Sequence, residues 1–479
     1  MVAGRFWHQC WRRLYRQISG LGCGLIVALA TAEAAPAAEN IRIHQWLIEV
    51  SIPVDALEQF AATGVVPPEL QSTLGRLDEA ALALTRQKLT TSLDIGVVAM
   101  SQLANSALGD DYLIRLGKVV RTASDNSGFL ALRAAHVAAA QDSEGLTLMG
   151  VIRHFPTDIR IGFGDLRYLN RQWDSFIDYK LAALEAIQQQ AEQETAAAGA
   201  VDFSHRPDLR QPGPFAVSAQ TLSLVDSDRP LDISYTLDEL ARLSAAGAPY
   251  QGRLDLGRVG VIGHSLGGYT ALAIAGAPVN TPLLQQACVP DRPFVANLSV
   301  YLQCRAAPLP PSDISLRDSR IGAAIALNPI TSVVQGPSGL GQIDIPLMLV
   351  ASSVDLLATP VQEQIHPFTW LTTETKYLVT MAPAGHGSSV QASPVSYSPY
   401  AGLAPNTSLG SEYSRALATA FMQVHAAGDD SYLPFLSAAY ASYLSADPIA
   451  LNLVRSLTAG QLEAAYGAPS PLPIRPGAQ

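Results

Sequence analysis

The sequence has few charged residues, few cysteines and, after residue 38, no dense stretch of lysine and arginine. Charged residues make up 15% of the chain and the formal net charge is −10, a balance that argues against nucleic-acid binding. Neither C-x-x-C nor H-E-x-x-H occurs, so we expect no metal site and no cofactor. Apolar residues make up 48% of the 479 residues, which predicts a compact globular protein and excludes a disordered one.

The first 38 residues have the pattern of a secretion signal. An apolar stretch runs from Ile18 to Ala32, and A-x-A cleavage motifs fall within residues 30–34. The stretch is preceded by positive charge, at Arg5, Arg12, Arg13 and Arg16. Because the apolar stretch is shorter than the roughly 20 residues that cross a bilayer, we expect a cleaved signal peptide and a secreted or periplasmic protein, with an uncleaved anchor as the alternative.

Two cysteines remain after the signal, Cys288 and Cys304, in a proline-rich region. In an oxidising compartment this pair predicts one disulfide that closes a loop. Two buried free thiols are the alternative.

The rest of the chain divides by its hydrophobic periodicity. Apolar residues recur every three to four positions through residues 40–156, and Ile159–Phe163 is predicted as a short strand. Residues 40–165 are predicted as an all-α domain, with its first helix beginning near Ser51–Pro53 and ending at Gly64. A helix and linker fill 166–213, and a Pro-rich tail follows residue 468. Within 214–468, apolar strands alternate with helices, which predicts a parallel sheet covered on both faces. The predicted strands are Phe215–Val225, Val259–Ile262, Ile321–Leu327, Ile345–Val350 and Tyr377–Met381, with helices at Leu231–Ala245 and through about 410–466.

The segment Gly263–Tyr269 contains G-x-S-x-G between an apolar strand and a small-residue helix. In this context the serine lies on a strained turn that exposes its hydroxyl as a nucleophile, and the following N–H helps to bind an oxyanion. The motif therefore predicts Ser265 as a nucleophile and the Leu266 N–H as an oxyanion donor.

Two residues later in the chain have the order and the position that the catalytic partners of Ser265 are expected to have. Asp355 follows the strand Ile345–Val350, and His386 follows Tyr377–Met381. Carboxyl ends of parallel strands meet at one edge of a sheet, where ligands bind. A serine hydroxyl needs a base such as imidazole, and a carboxylate fixes that imidazole and stabilises its charged form. We therefore predict a Ser265–His386–Asp355 triad.

Around the motif the chain resembles α/β-hydrolases of the platelet-activating-factor acetylhydrolase and dienelactone-hydrolase group. Upstream it resembles a helical domain of unknown function that precedes such hydrolases in cyanobacterial proteins. The segments that carry the resemblance are Gly257–Leu272, Leu113–Gly117, Gly128–Ala135, Glu144–Leu148, Asp208–Pro214 and Arg229–Tyr235. The resemblance implies an α/β-hydrolase sheet and an ester hydrolase acting on small-molecule or lipid esters through the same Ser, Asp and His.

The sequence departs from that family before the motif. Little more than one predicted strand and one helix separate Phe215 from Ser265, and no His-Gly occurs upstream. The resemblance therefore implies that about eighty residues, with early strands and the oxyanion loop, are missing. A catalytically impaired module that binds a partner or a lipid surface, with peripheral membrane contact, is thus the alternative function.

Overall fold

The structure, a computed structural model, describes residues 37–45, 48–92, 95–199, 201–203, 206, 208–210, 228–289, 295–308, 316–390 and 408–470. These residues form two compact units. The first contains 37–92 and 117–163, and the second contains 95–116 and 164–470. The sequence analysis assigned all of 40–165 to one domain, whereas in the structure residues 95–116 belong to the second unit. Within the second unit, Tyr112 packs edge-on against Tyr301 with ring centroids 6.0 Å apart.

The first unit contains a four-stranded sheet, so the prediction of an all-α domain is wrong. Strands β1 (Asn40–Gln45) and β2 (Ile48–Pro53) pair antiparallel, β4 (Ile159–Gly162) joins β1 in parallel, and β3 (Arg121–Thr122) pairs with β4. Isoleucines and valines alternate with polar residues along β1 and β2, a pattern that favours strands. The residues Ser51–Pro53 end β2, and the first helix begins one residue later.

Helices complete this unit, and the first of them ends as predicted. Gly64 caps it with φ 77°, and the Gly64 N–H donates to the Phe60 carbonyl at 2.7 Å. Glycine suits this left-handed position because it has no Cβ. The helices from here to the unit boundary are α1 (Val54–Thr63), α2 (Glu79–Thr90), α3 (Val97–Ala104), α4 (Ala107–Val119), α5 (Phe129–Ala139) and α6 (Leu148–Arg153), of which α3 and most of α4 belong to the second unit.

The second unit is built on a five-stranded sheet in the order β5-β6-β7-β8-β9. Strands β5 to β8 are parallel, as predicted, and β9 pairs antiparallel with β8. Their bounds are β5 Val259–His264, β6 Ile321–Leu327, β7 Leu347–Ser352, β8 Lys376–Ala382 and β9 Ala450–Val454. We predicted helices throughout 410–466. The edge strand β9 was missed because its apolar alternation, through Leu451 and Leu453, is only five residues long.

Helices cover both faces of this sheet. Successive residues of β7 point to opposite sides: Met348 packs with Tyr377 and Phe421, whereas Leu349 packs with Ile187 and Phe368. Among the described residues no helix is long and apolar enough to cross a membrane. The helices are α7 (Phe163–Ala198), α8 (Asp228–Ser244), α9 (Leu266–Ile274), α10 (Thr281–Ala287), α11 (Ser299–Gln303), α12 (Gly336–Leu340), α13 (His366–Trp370), α14 (Ser408–Met422), α15 (Ala438–Leu444) and α16 (Ala459–Tyr466), with a π-helical turn at Val361–Ile365.

Candidate active site

Ser265 lies on a sharp turn between β5 and α9. Its backbone has φ 58° and ψ −121°, a conformation that non-glycine residues rarely adopt and that concentrates at functional sites. The Ser265 N–H donates to the carbonyl of Leu327 at 2.9 Å, which fixes the turn to the end of the neighbouring strand β6. The serine therefore lies at the carboxyl edge of the sheet, where the sequence predicted it.

Two glycines allow strand and helix to approach closely at this turn. A Cβ on Gly263 would overlap the main-chain carbonyl of Gly267, and a Cβ on Gly268 would lie 2.9 Å from the Cβ of Pro329. A Cβ on Gly267 would meet no atom within 4 Å. The turn therefore requires glycine at position 263 and leaves almost no space for a Cβ at position 268. At position 267 there is room for a side chain.

Leu266 is the first residue of α9. Its N–H belongs to the first helical turn, whose amides have no intrahelical partner and carry the positive end of the helix dipole. This N–H is therefore available to stabilise negative charge that develops beside Ser265. The predicted absence of the early strands and of the oxyanion loop remains a prediction, because Phe215–Val225 lies outside the described residues. Among the described residues, β5 pairs only with β6.

Asp355 is fully buried just beyond β7, and four donors surround its carboxylate. Oδ1 accepts the N–H groups of Leu357 and Ala358, each at 2.9 Å. Oδ2 accepts the Asn328 side-chain amide at 3.0 Å and faces Nδ1 of His386 at 2.7 Å. Both oxygens of the buried carboxylate therefore have hydrogen-bond partners, as a buried polar group requires.

His386 lies in the loop after β8 and is 7% exposed. Because Asp355 accepts a hydrogen at Nδ1, the neutral imidazole keeps its lone pair on Nε2, the tautomer that a general base requires. Two further bonds shape the loop: the Val354 N–H donates to the Ala384 carbonyl at 2.8 Å, and the Gly385 N–H donates to Ser388 Oγ at 2.9 Å. The structure thus brings the predicted acid and base together.

His264, the residue before Ser265, connects the nucleophile turn to this loop. Its Nε2 lies 2.7 Å from the main-chain carbonyl of His386, and the two rings are 4.8 Å apart. Burial, together with the positive charge of a protonated His386, lowers the pKa of His264 to about 4. His264 is therefore neutral near pH 7 and donates its Nε2 hydrogen to that carbonyl. This bond connects the main chain of His386 to the residue that precedes Ser265.

Sequence reasoning missed Asn328, which follows β6 at the same edge of the sheet. Asn328 is fully buried with φ 46°, and besides donating to Asp355 it accepts hydrogens from Ser389 at 2.8 Å and Ser352 at 3.4 Å. Asn328 directly follows β6, which lies between β5 and β7, so the strand order marks its position, but its role follows only from these contacts.

A second buried carboxylate, Glu363, organises the loop that follows Asn328. Its Oε2 accepts the N–H groups of Thr331 and Ser332 at 2.7 and 2.9 Å. Its Oε1 accepts neutral side-chain donors, from Asn297, Ser299, Gln303 and Ser332. Glu363 is fully buried and belongs to the π-helical turn, so its carboxylate connects that turn to the loop after β6. None of the donors named here carries a positive charge.

The disulfide lies next to the same network. Cys288 and Cys304 are bonded, with Cα atoms 5.3 Å apart, so the structure has the predicted disulfide. The neighbouring Gln303 accepts the N–H groups of Val333 and Val334 at 2.7 and 2.8 Å. The disulfide therefore closes the segment that supports the loop after β6. In the described part of the chain, no cluster of three or more His, Cys, Asp or Glu side chains could hold a metal ion.

One family model matches the chain, over residues 37–162, and its description is alpha/beta hydrolase of unknown function (DUF1400). No curated protein matches the chain. The match covers the first unit and α3 and α4, and it leaves the sheet that carries Ser265 outside its bounds. It does not test the resemblance to platelet-activating-factor acetylhydrolases and dienelactone hydrolases. By this comparison the chain is similar to an α/β-hydrolase-like family whose function is unknown.

Proposed function

We propose that this protein is a serine hydrolase that cleaves carboxylic esters, with Ser265 as nucleophile, His386 as general base and Asp355 as the acid that orients it. One observation supports this most strongly: Asp355 bonds Nδ1 of His386, while His264 fixes the carbonyl of His386 beside the Ser265 turn. A buried aspartate, a histidine in the basic tautomer and a serine on a strained turn form the group that acyl transfer to serine requires.

The reaction proceeds through an acyl-enzyme. Ser265 Oγ attacks the ester carbonyl carbon as Nε2 of His386 takes the hydroxyl proton, and the Leu266 N–H stabilises the oxyanion of the tetrahedral intermediate. The intermediate expels the alcohol, which takes the proton from His386. Water then attacks the acyl-enzyme with His386 again as base. The carboxylic acid leaves and Ser265 regains its proton.

The charges around the imidazole favour this cycle. The ionised Asp355 stabilises the imidazolium that forms when His386 accepts the proton. His264, with its pKa lowered to about 4, stays neutral and adds no positive charge that would oppose that imidazolium. A charged His264 would destabilise it by repulsion at a ring separation of 4.8 Å.

We further propose that the substrates are small-molecule or lipid esters, and that the enzyme works outside the cytoplasm, secreted or in the periplasm. The first proposal rests on the sequence resemblance. The second is supported by the signal-like N-terminus and by the Cys288–Cys304 disulfide, since disulfides persist mainly in oxidising compartments.

The test is labelling of the purified protein with a fluorophosphonate probe, together with hydrolysis of p-nitrophenyl butyrate. Wild type is expected to take up one probe per chain and to hydrolyse the ester, and Ser265→Ala to do neither. Ser414→Ala is the matched control, because among the described residues the buried Ser414 hydroxyl has no hydrogen-bond partner. A folded wild-type protein that takes up no probe and hydrolyses no ester would instead favour a catalytically impaired binding module.

A further inference from the structure

Asn328 contacts the acid and histidine loops at the same time. Its amide nitrogen donates to Oδ2 of Asp355, the oxygen that also bonds His386, and its amide oxygen accepts the hydroxyl of Ser389, three residues beyond that histidine. Ser352, the last residue of β7, approaches the same amide oxygen. One side chain thus connects the ends of β6, β7 and β8.

The backbone conformation at this position suits an asparagine. Asn328 has φ 46°, in the left-handed region that L-residues other than glycine, asparagine and aspartate seldom occupy. The Asn328 N–H donates to the Val350 carbonyl at 2.8 Å, and the loop beyond is fixed by Glu363 through Thr331 and Ser332. The surroundings therefore hold this residue in a conformation that aims its amide at Asp355.

We propose that Asn328 is a positioning residue of the site: it fixes Oδ2 of Asp355 toward His386 and links the loop of the acid to the loop of the base. This inference rests on the proposed function. Without the amide donor, Asp355 keeps the two main-chain N–H bonds on Oδ1 but loses the neutral donor that sets Oδ2. Oδ2 is then held by its bond to His386 alone.

Two substitutions separate the donor from the backbone. Asn328→Gly accepts a positive φ without strain and removes the whole side chain. We expect kcat per active site to fall about 10- to 100-fold, the range set by losing one hydrogen bond to a charged group, with little change in KM. The number of active sites is counted by the fluorophosphonate burst, so that loss of folded protein is not scored as loss of rate.

Asn328→Asp keeps the size and the tolerance for positive φ but replaces a donor by an ionisable acceptor beside Asp355. Among the described residues, the titratable groups that contact His386 are Asp355, from the loop after β7, and His264, on β5, which is neutral above about pH 4. An added carboxylate raises the proton affinity of the whole cluster. We expect the acidic limb of the kcat/KM profile to move to higher pH by about one unit or more.

The control is Thr380→Val in the neighbouring strand β8, since the buried Thr380 hydroxyl has no hydrogen-bond partner in the described part of the chain. Its kcat and its pH profile should match those of wild type. A purely structural Asn328 would lower the number of active sites in Asn328→Gly and leave kcat per active site unchanged. The inference is overturned if Asn328→Gly keeps kcat within twofold, or if the limb of Asn328→Asp stays within about 0.3 pH unit of wild type.

The failure of the proposed function has a different signature. If wild type neither reacts with the probe nor turns over esters, the hydrolase assignment falls, and the contact is then tested by NMR titration of the His386 imidazole. In that case Asn328→Asp must still raise the pKa of His386 by about one unit. An unchanged titration would overturn the inference independently of activity.

Discussion

The two halves of the candidate site are supported very differently. Asp355 and His386 follow β7 and β8, two strands that have a neighbour on each side. Backbone amides and Asn328 fix Asp355, and the Ser388 turn shapes the loop of His386. Ser265 lies beyond β5, which pairs with a single strand among the described residues and whose Ile262 is 51% exposed. The acid–base half therefore depends on hydrogen bonds to a buried carboxylate, and the nucleophile half depends on close packing at a glycine turn.

The largest expected effect falls on the acid–base half. Asp355→Asn keeps the shape of the carboxylate but offers an amide to donors that need an acceptor, and it ceases to favour the basic tautomer of His386. We expect kcat for p-nitrophenyl butyrate to fall about 10⁴-fold, the loss seen when a triad aspartate is neutralised. Steady-state kinetics with a burst count measures this. A loss below about tenfold would mean that Asp355 does not orient the base.

The nucleophile half is tested by two neighbouring glycines. Gly263→Ala brings a Cβ into the carbonyl of Gly267, whereas a Cβ on Gly267 meets nothing within 4 Å. We expect Gly263→Ala to lower the free energy of unfolding by about 3 kcal/mol, the upper end of the cost of overpacking, and to reduce probe labelling. Gly267→Ala should fold with wild-type stability or slightly higher, as alanine favours a helix. Equal thermal midpoints for the two variants would contradict the steric account of the turn.

Glu363 supports the loop that carries Asn328, and its substitution tests whether that support is electrostatic. Glu363→Gln keeps the volume but presents an NH₂ group to several donors. We expect the free energy of unfolding to fall by about 3 kcal/mol, because buried donors lose a charged acceptor. Urea denaturation measures it, with the exposed Glu374→Gln as control. If both variants unfold at the same urea concentration, the carboxylate does not hold the loop.

The smallest expected effect concerns His264, which connects the two halves. Its pKa is near 4 in the folded protein and about 6.5 when unfolded. Between those values the unfolded chain binds a proton that the folded one does not, so stability falls as pH drops from about 6.5 to 4. This histidine accounts for about 1–3 kcal/mol of that fall.

His264→Gln removes the titration and retains a side-chain donor. Its stability curve should be flatter than that of wild type between pH 6.5 and 4, as measured by urea denaturation at several pH values. Parallel curves would show that His264 is not the buried neutral histidine described above.

The sequence predicted most of what local pattern and order can determine. Continuous apolar strands alternating with helices gave the parallel sheet, G-x-S-x-G gave the Ser265 turn, and strand ends gave the positions of Asp355 and His386. The strands β1 and β2 were missed because each has only a short alternation of apolar and polar residues, and the helix α1 follows directly. The alternation was therefore interpreted as part of a helical pattern. The strand β9 is shorter still. β1 also pairs with β4, and β9 pairs with β8, and both partners are distant in sequence.

Asn328 and Glu363 were missed for a related reason. A single asparagine or glutamate shows no pattern, and its role depends on partners brought together by the fold: Asp355 and Ser389 for one, Thr331 and Gln303 for the other. The candidate triad was accessible because each of its members ends a recognisable strand. Asn328 also ends a strand, but an asparagine is not a member of the expected triad, and Glu363 lies in a helical turn, so their roles follow only from contacts that the fold creates.

The most direct test of the account is fluorophosphonate labelling of the purified protein, followed by mass spectrometry of the labelled peptide. We predict one adduct per chain on Ser265, abolished in Ser265→Ala, retained in Ser414→Ala, and slowed about 10⁴-fold in Asp355→Asn. An adduct on another serine, or a folded wild-type protein that remains unlabelled while Asp355 and His386 keep their contact, would contradict it.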